Sequence, residues 1–247
     1  MVFSELLSLK KRLMPLWAIT QVDLEGLFKS KVTYGWLISA IFLNVVRVLG
    51  TSTFSTTSRI IAEGLSDFIY VWSMVIIGLT TSAVASEIGE FADSILSKAI
   101  RRYEYISAKF LSRFIYVLAI YFSISSVLIG LAIKMAKNDY EVNSLMASVL
   151  FVLLALIMLT TMGVMLGAVI PNTVIAMVLL LVFWYSMTFF FPIIDLGFLS
   201  PSNIINELPD HIQGVWNGEE WKTAIGFTLI SLTSVIFTTL FFSTKDL

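Results

Sequence analysis

The chain has 247 residues, 57% of them hydrophobic and only 13% charged, with a formal net charge of −1 and a mean hydropathy of +0.90. A soluble domain carries about 45–50% apolar and about 25% charged residues, so this composition excludes a water-exposed globule and calls for lipid around most of the surface. No basic block suggests nucleic acid, and the absence of cysteine excludes a disulfide framework, thiolate metal sites and cysteine nucleophiles.

The first thirty residues are amphipathic. Phe3, Leu6, Leu7, Leu13, Met14 and Trp17 approximate one face, with Lys10, Lys11 and Arg12 beside it and Lys29 and Lys31 following. A cleavable signal would reach its apolar core soon after a short basic region, so residues 1–30 read instead as a connecting segment lying in the membrane plane. Pro15 is expected to divide it into two pieces.

Six later stretches approach the roughly 20 apolar residues that a spanning helix needs. They are residues 33–49, 67–86, 106–133, 145–170, 173–191 and 223–242. The first is short and holds Asn44 and Arg47; the third and fourth are long enough to require tilt or extension beyond the bilayer. Pro171 and Asn172 separate the fourth and fifth by a tight turn, which makes these two a hairpin. With the N-terminus inside, Lys10, Lys11, Arg12, Lys29, Lys31, Lys98, Arg101, Arg102, Lys109, Arg113 and Lys245 lie inside. Only Arg59, Lys134, Lys137 and Lys222 then lie outside. The excess of basic residues on one side predicts two cytoplasmic termini.

Between the second and third spans, residues 87–105 carry Ile88, Phe91, Ile95 and Ala99 at helical spacing. Glu87, Glu90, Asp93, Lys98, Arg101 and Arg102 mostly occupy the other face. Acidic residues lead and basic residues finish, which suits the helix dipole. The segment is either a helix resting on the inner leaflet or a docking helix for a cytoplasmic partner.

The order of these parts resembles the membrane subunit of an ABC-2 type ABC transporter. The resemblance is carried by Glu87, Gly89, the small apolar run Ser94 to Ser97, the Arg101-Arg-Tyr-Glu-Tyr105 step and Lys109, in that order. Phe191-Pro192, Leu199-Ser-Pro201 and Leu208-Pro209 resemble the family's outer segment, which forms short helices dipping into the outer leaflet. The family often has proline shortly before the basic pair, where this chain has Ala99. The resemblance covers nearly the whole chain through the ordering of its parts. It implies a connecting helix over residues 1–30 and a coupling helix over 87–105, in which Phe91 and Ile95 insert into a separate ATPase subunit. Arg101 and Arg102 would orient that helix end. ATP and magnesium would be bound by the ATPase, and a second permease chain, identical or paralogous, would complete the path.

An enzyme reading finds little support. His211 is the only histidine and falls in an outer loop, where a solvated side chain is expected and no metal site. Glu219 and Glu220 read as a solvated helix start. No Gly-x-x-x-x-Gly-Lys-Ser/Thr phosphate loop is present, so no cofactor is expected in this chain. Among intramembrane polar residues, which mark functional positions by default, Arg47 either lines a path or pairs across the bundle, or snorkels outward. Asp67 and Asp195 read as interfacial. Gly163 and Gly167 read as a close-packing pair. Thr228, Ser231, Ser234 and Thr238 form a hydroxyl stripe explained equally by self-bonding and by a translocation path.

The expectation is thus an all-α polytopic bundle of six spans, forming a single domain over residues 1–247 in the plasma membrane. Its expected role is the permease of an ATP-driven exporter for a hydrophobic or amphipathic substrate. A secondary transporter or a non-transporting assembly protein is the alternative.

Overall fold

The computed structural model describes residues 2–85, 101–218 and 220–244, with side chains from Met14 to Ser243. It is all-α, and six of its helical segments are long and apolar enough to cross a membrane. The chain is a multi-pass membrane protein. In hydrocarbon every backbone polar group needs an internal partner, and a helix supplies it.

Helix α1 (Val2–Lys29) runs unbroken through Pro15, which corrects the expected division. Proline removes one backbone bond, and the packing of α1 along the third span outweighs that loss. Ser30 ends α1 and caps α2 (Lys31–Thr51) by accepting from the Val32 N–H at 3.2 Å.

The second span starts ten residues earlier than the apolar run suggests. It consists of α3 (Thr57–Tyr70) and α4 (Ser73–Ala85). Arg59, Glu63 and Ser66 are polar, but Ile60, Ile61, Leu65, Phe68 and Ile69 bury the opposite face completely. At the junction the Val71 and Trp72 N–H groups both donate to the Asp67 carbonyl, at 2.8 Å each. The Trp72 N–H thereby bypasses the Phe68 carbonyl and the Met74 N–H donates to Val71 in place of Tyr70, which interrupts the helical ladder over residues 68–70.

Helix α5 (Arg102–Met135) is the longest at 34 residues, about 51 Å at 1.5 Å per residue against a hydrocarbon core of about 30 Å. Helix α6 (Val142–Val169) is the centre of the bundle and packs on α3, α4, α5 and the three helices that follow it. Its Gly163 and Gly167 sit directly against Thr80 and Thr81 of α4. A Cβ at either glycine would collide there, so this pair is what lets α4 and α6 approach closely.

Asn172 then caps α7 (Thr173–Phe190), its Oδ1 accepting from Val174 and Ile175, and the α6–α7 hairpin is tight as expected. Two 3-10 turns, Phe191–Ile194 and Gly197–Leu199, lead to α8 (Pro201–Ile212) and to the last span, α9 (Glu220–Thr244).

The two ends of the bundle differ. At the near end, Ala83, Val84, Tyr105, Ile106, Val164, Ala168 and Phe242 form a small separate cluster that gathers the ends of α4, α6 and α9 around the start of α5. At the far end, the turn before α3 bridges residue 137, and the Glu141 N–H donates to the Ile212 carbonyl at 2.9 Å.

Candidate functional site

A polar seam runs through the near half of the bundle along one face of α5. Lys109, Ser112, Arg113 and Tyr116 recur at helical spacing and all are buried. Asp23 of α1 meets the first three. Its carboxylate lies 3.2 Å from Lys109 Nζ and 2.9 Å from Arg113 NH1, and it accepts a hydrogen bond from the Ser112 hydroxyl. Arg113 Nε donates to the Leu79 carbonyl of α4 at 3.1 Å. One turn further, the Tyr116 hydroxyl is 2.7 Å from Thr33 Oγ1, which itself donates to the Leu27 carbonyl at 2.6 Å. The seam therefore ties α1, α2, α4 and α5 into one unit.

Removing one partner of a buried ionic set costs about 3–5 kcal/mol, because the remaining charge stays desolvated. The orientation of α1 on α5 is fixed accordingly. In the sequence Lys109 counts among the inner basic residues and in the coupling motif, Arg113 among the inner basic residues alone, and Asp23 does not stand out. The available signal was an acid inside an amphipathic segment, followed by two cations one turn apart in a span.

Of the residues expected at the cytoplasmic coupling segment, Glu87, Gly89, Phe91 and Ile95 lie outside the described residues. Arg101 and Arg102 are described. Arg101 has extended backbone and caps α5, its N–H donating to Glu104 Oε2 at 3.1 Å. Its exposed guanidinium donates to the Tyr103 hydroxyl at 3.0 Å. Arg102 is the first residue of α5, so residues 102–105 belong to the third span rather than to a helix continuous with residue 87.

Arg47 pairs across the bundle. Its guanidinium lies 2.7 Å from Asp67 Oδ2 across the α2–α3 interface, 3.3 Å from Asn44 Oδ1 and 4.0 Å from Glu63. Asp67 is thereby a partner inside the bundle and not a free interfacial acid. In the hydroxyl stripe of α9, Thr228, Ser231, Ser234 and Thr238 each donate to the carbonyl four residues earlier at 2.6–2.8 Å.

The largest departure is at the far end. His211 is not a solvated loop residue; it sits in the last turn of α8 and is 1% exposed. Its Nε2 lies 2.9 Å from Glu220 Oε1 and 3.4 Å from Glu207 Oε2, and its ring stacks on Trp216 at 4.4 Å between centroids. Gly214, at φ +93°, turns the chain back toward Trp216, and a Cβ there would meet Glu141. Glu220 is likewise buried, and its Oε1 also accepts from the Asn217 N–H at 2.8 Å. Glu219 lies outside the described residues.

Close by, Asp139 accepts from the Ser58 N–H and hydroxyl at 2.8 and 2.6 Å and from Gln213 Nε2 at 3.1 Å. Burial pushes this carboxyl up, but the Ser58 donors and Thr56 outweigh it and hold Asp139 below the usual carboxylate range. No family model and no curated protein sequence matches the chain.

Proposed function

We propose that the chain is the membrane-spanning subunit of an ATP-driven ABC-2 type transporter, working as an exporter. It would pair with a second permease chain and with a separate cytoplasmic ATPase that binds ATP and magnesium. The observation that carries this reading is the buried Asp23–Lys109–Arg113 seam. A transporter driven from outside the membrane needs a member that receives displacement at one face and delivers it across the bilayer without bending. Helix α5 has the length for that role, and it begins immediately after the segment of residues 86–100. The seam locks α1 to α5 and α4, so that a push on that segment moves these helices together. Nucleotide and substrate then bias the same two-state equilibrium of the bundle, which is the physical content of coupling.

The test is direct. The full chain is co-expressed with a candidate ATPase subunit, and co-purification and hydrolysis are measured in the wild type and in a Phe91→Ala/Ile95→Ala double variant. The desolvated centre of an interface matters more than its rim, so the double variant is expected to lose association or to uncouple hydrolysis from transport. An unchanged complex with unchanged coupled hydrolysis removes residues 87–105 from the mechanism. Transport by the purified chain without any ATPase would favour a secondary transporter.

A further inference from the structure

The transport reading makes no use of the three groups that meet at the far end, and the inference drawn from them is independent of it. Glu207 and His211 stand one turn apart on α8, and Glu220 opens α9. One ligand atom from each lies within 4.8 Å of the other two. We propose that Glu207, His211 and Glu220 form a binding site for a divalent transition-metal ion of the zinc class, stapling α8 to the last span.

The donor set decides the class of ion. An imidazole nitrogen with two carboxylate oxygens is a three-protein-ligand set that suits zinc and its neighbours. Calcium and magnesium take oxygen ligands instead, calcium in larger numbers. Metal–ligand bonds of about 2.0–2.2 Å place tetrahedral donors about 3.4 Å apart. His211 Nε2 stands 3.4 Å from Glu207 Oε2 and 2.9 Å from Glu220 Oε1, and the third edge is within 4.8 Å, so an ion needs a small opening of the His211–Glu220 edge and an adjustment of the more exposed Glu207 carboxylate. A fourth position is left for water.

Charge argues in the same direction. Two carboxylates converge on one imidazole, and among the described residues neither Glu207 nor Glu220 pairs with a lysine or an arginine. A divalent ion cancels both charges. Access and order are also present: the Glu207 side chain is 38% exposed while those of His211 and Glu220 are 2% and 8%. The ion enters past Glu207 and meets two ligands already held, His211 by the Trp216 ring and Glu220 by the Asn217 N–H.

One feature limits the affinity. Among the described residues His211 Nδ1 is buried without a hydrogen-bond partner, and its Nε2 faces the carboxylates. Coordination through Nε2 leaves the ring proton on Nδ1, where no acceptor stands among the described residues. Ligand histidines normally donate from this second nitrogen, and loss of such a partner weakens binding about 10–100-fold. The site therefore binds reversibly rather than as a permanent structural centre.

The test uses the full-length purified chain in detergent, without a histidine tag and without any partner subunit. The chain has one histidine and no cysteine, so an imidazole-ligated ion has a single place to bind. Titration with cobalt(II) alone is expected to give visible ligand-field absorption saturating at one ion per chain and abolished by zinc. Excess magnesium or calcium is expected to leave it in place. Glu207→Gln, at the half-exposed ligand, is expected to weaken zinc binding at least tenfold while preserving the elution profile, and His211→Asn to abolish it. Absence of saturable binding to the wild type overturns the proposal. So does wild-type affinity in Glu207→Gln, which stays decisive even if the buried His211 variant fails to fold.

Discussion

Asp139 illustrates how a single carboxylate can hold two spans at a fixed offset. It receives the Ser58 N–H and hydroxyl at the start of α3 from the turn between α5 and α6, a position also favoured by the α3 helix dipole. Its pKa is held down in the folded chain. A carboxyl with a folded value below the unfolded one, near 3.9, contributes stability that is fully present above that value. The contribution is lost as pH falls through the depressed folded value. The thermal midpoint of the purified chain is therefore expected to fall below about pH 4. Asp139→Asn is expected to start lower at neutral pH and to lose part of that acid dependence. Parallel acid profiles for the two proteins would assign the effect to other carboxylates. At this scale the sequence was least legible. Arg47 could be flagged because a charge in a span is rare, but its pairing with Asp67 requires knowing that α3 begins ten residues before the apolar run. His211 reads as a loop residue until α8 and Trp216 enclose it. Asp23 is one acid among many until α5 lies against it.

Helix α7 repairs a defect in its neighbour. The break between α3 and α4 frees the Ile69 and Tyr70 carbonyls inside the bundle, where an unpaired carbonyl is costly. Trp184 Nε1 donates to Ile69 at 3.1 Å, and the Tyr185 hydroxyl donates to Tyr70 at 2.6 Å. Broken helices persist in membranes when a neighbour re-satisfies the freed groups, and two consecutive residues of α7 meet that condition here. Tyr185→Phe keeps the ring and removes only the donor, so it is expected to destabilise the purified chain by about 1–3 kcal/mol, the cost of a buried unsatisfied group. An unchanged thermal midpoint would show that the bond contributes no net stability at the bend. Elements were legible where apolar length alone defines them, as in α6, α7 and α9. The second span was misjudged because Arg59, Glu63 and Asp67 lower its hydropathy, although they share one side of a helix whose other side is fully buried. Pro15 was misjudged in the opposite sense, since a local breaker was given more weight than packing.

On the scale of the whole molecule, the near and far ends are built from different chemistry. The near end carries the buried cations of α5 together with the short α6–α7 turn. The far end carries the Asp139 clamp, α8 and the Glu207–His211–Glu220 cluster. Six spans place both termini on one side, and the excess of basic residues predicts that this side faces the cytoplasm. The orientation decides the mechanism: an ATPase reaches residues 86–100 only if the near end is cytoplasmic, and the proposed metal site then samples the external solution. Because the chain has no cysteine, single cysteines report without background. In intact cells, cysteines at Ser4 and Thr244 are expected to resist a membrane-impermeant thiol reagent, and one at Asn138, exposed in the α5–α6 turn, is expected to react. All three are expected to react after permeabilisation. Labelling at Ser4 and Thr244 with protection at Asn138 in intact cells would invert the protein, move residues 86–100 out of reach of ATP, and leave the Asp23 seam without the driving role proposed for it.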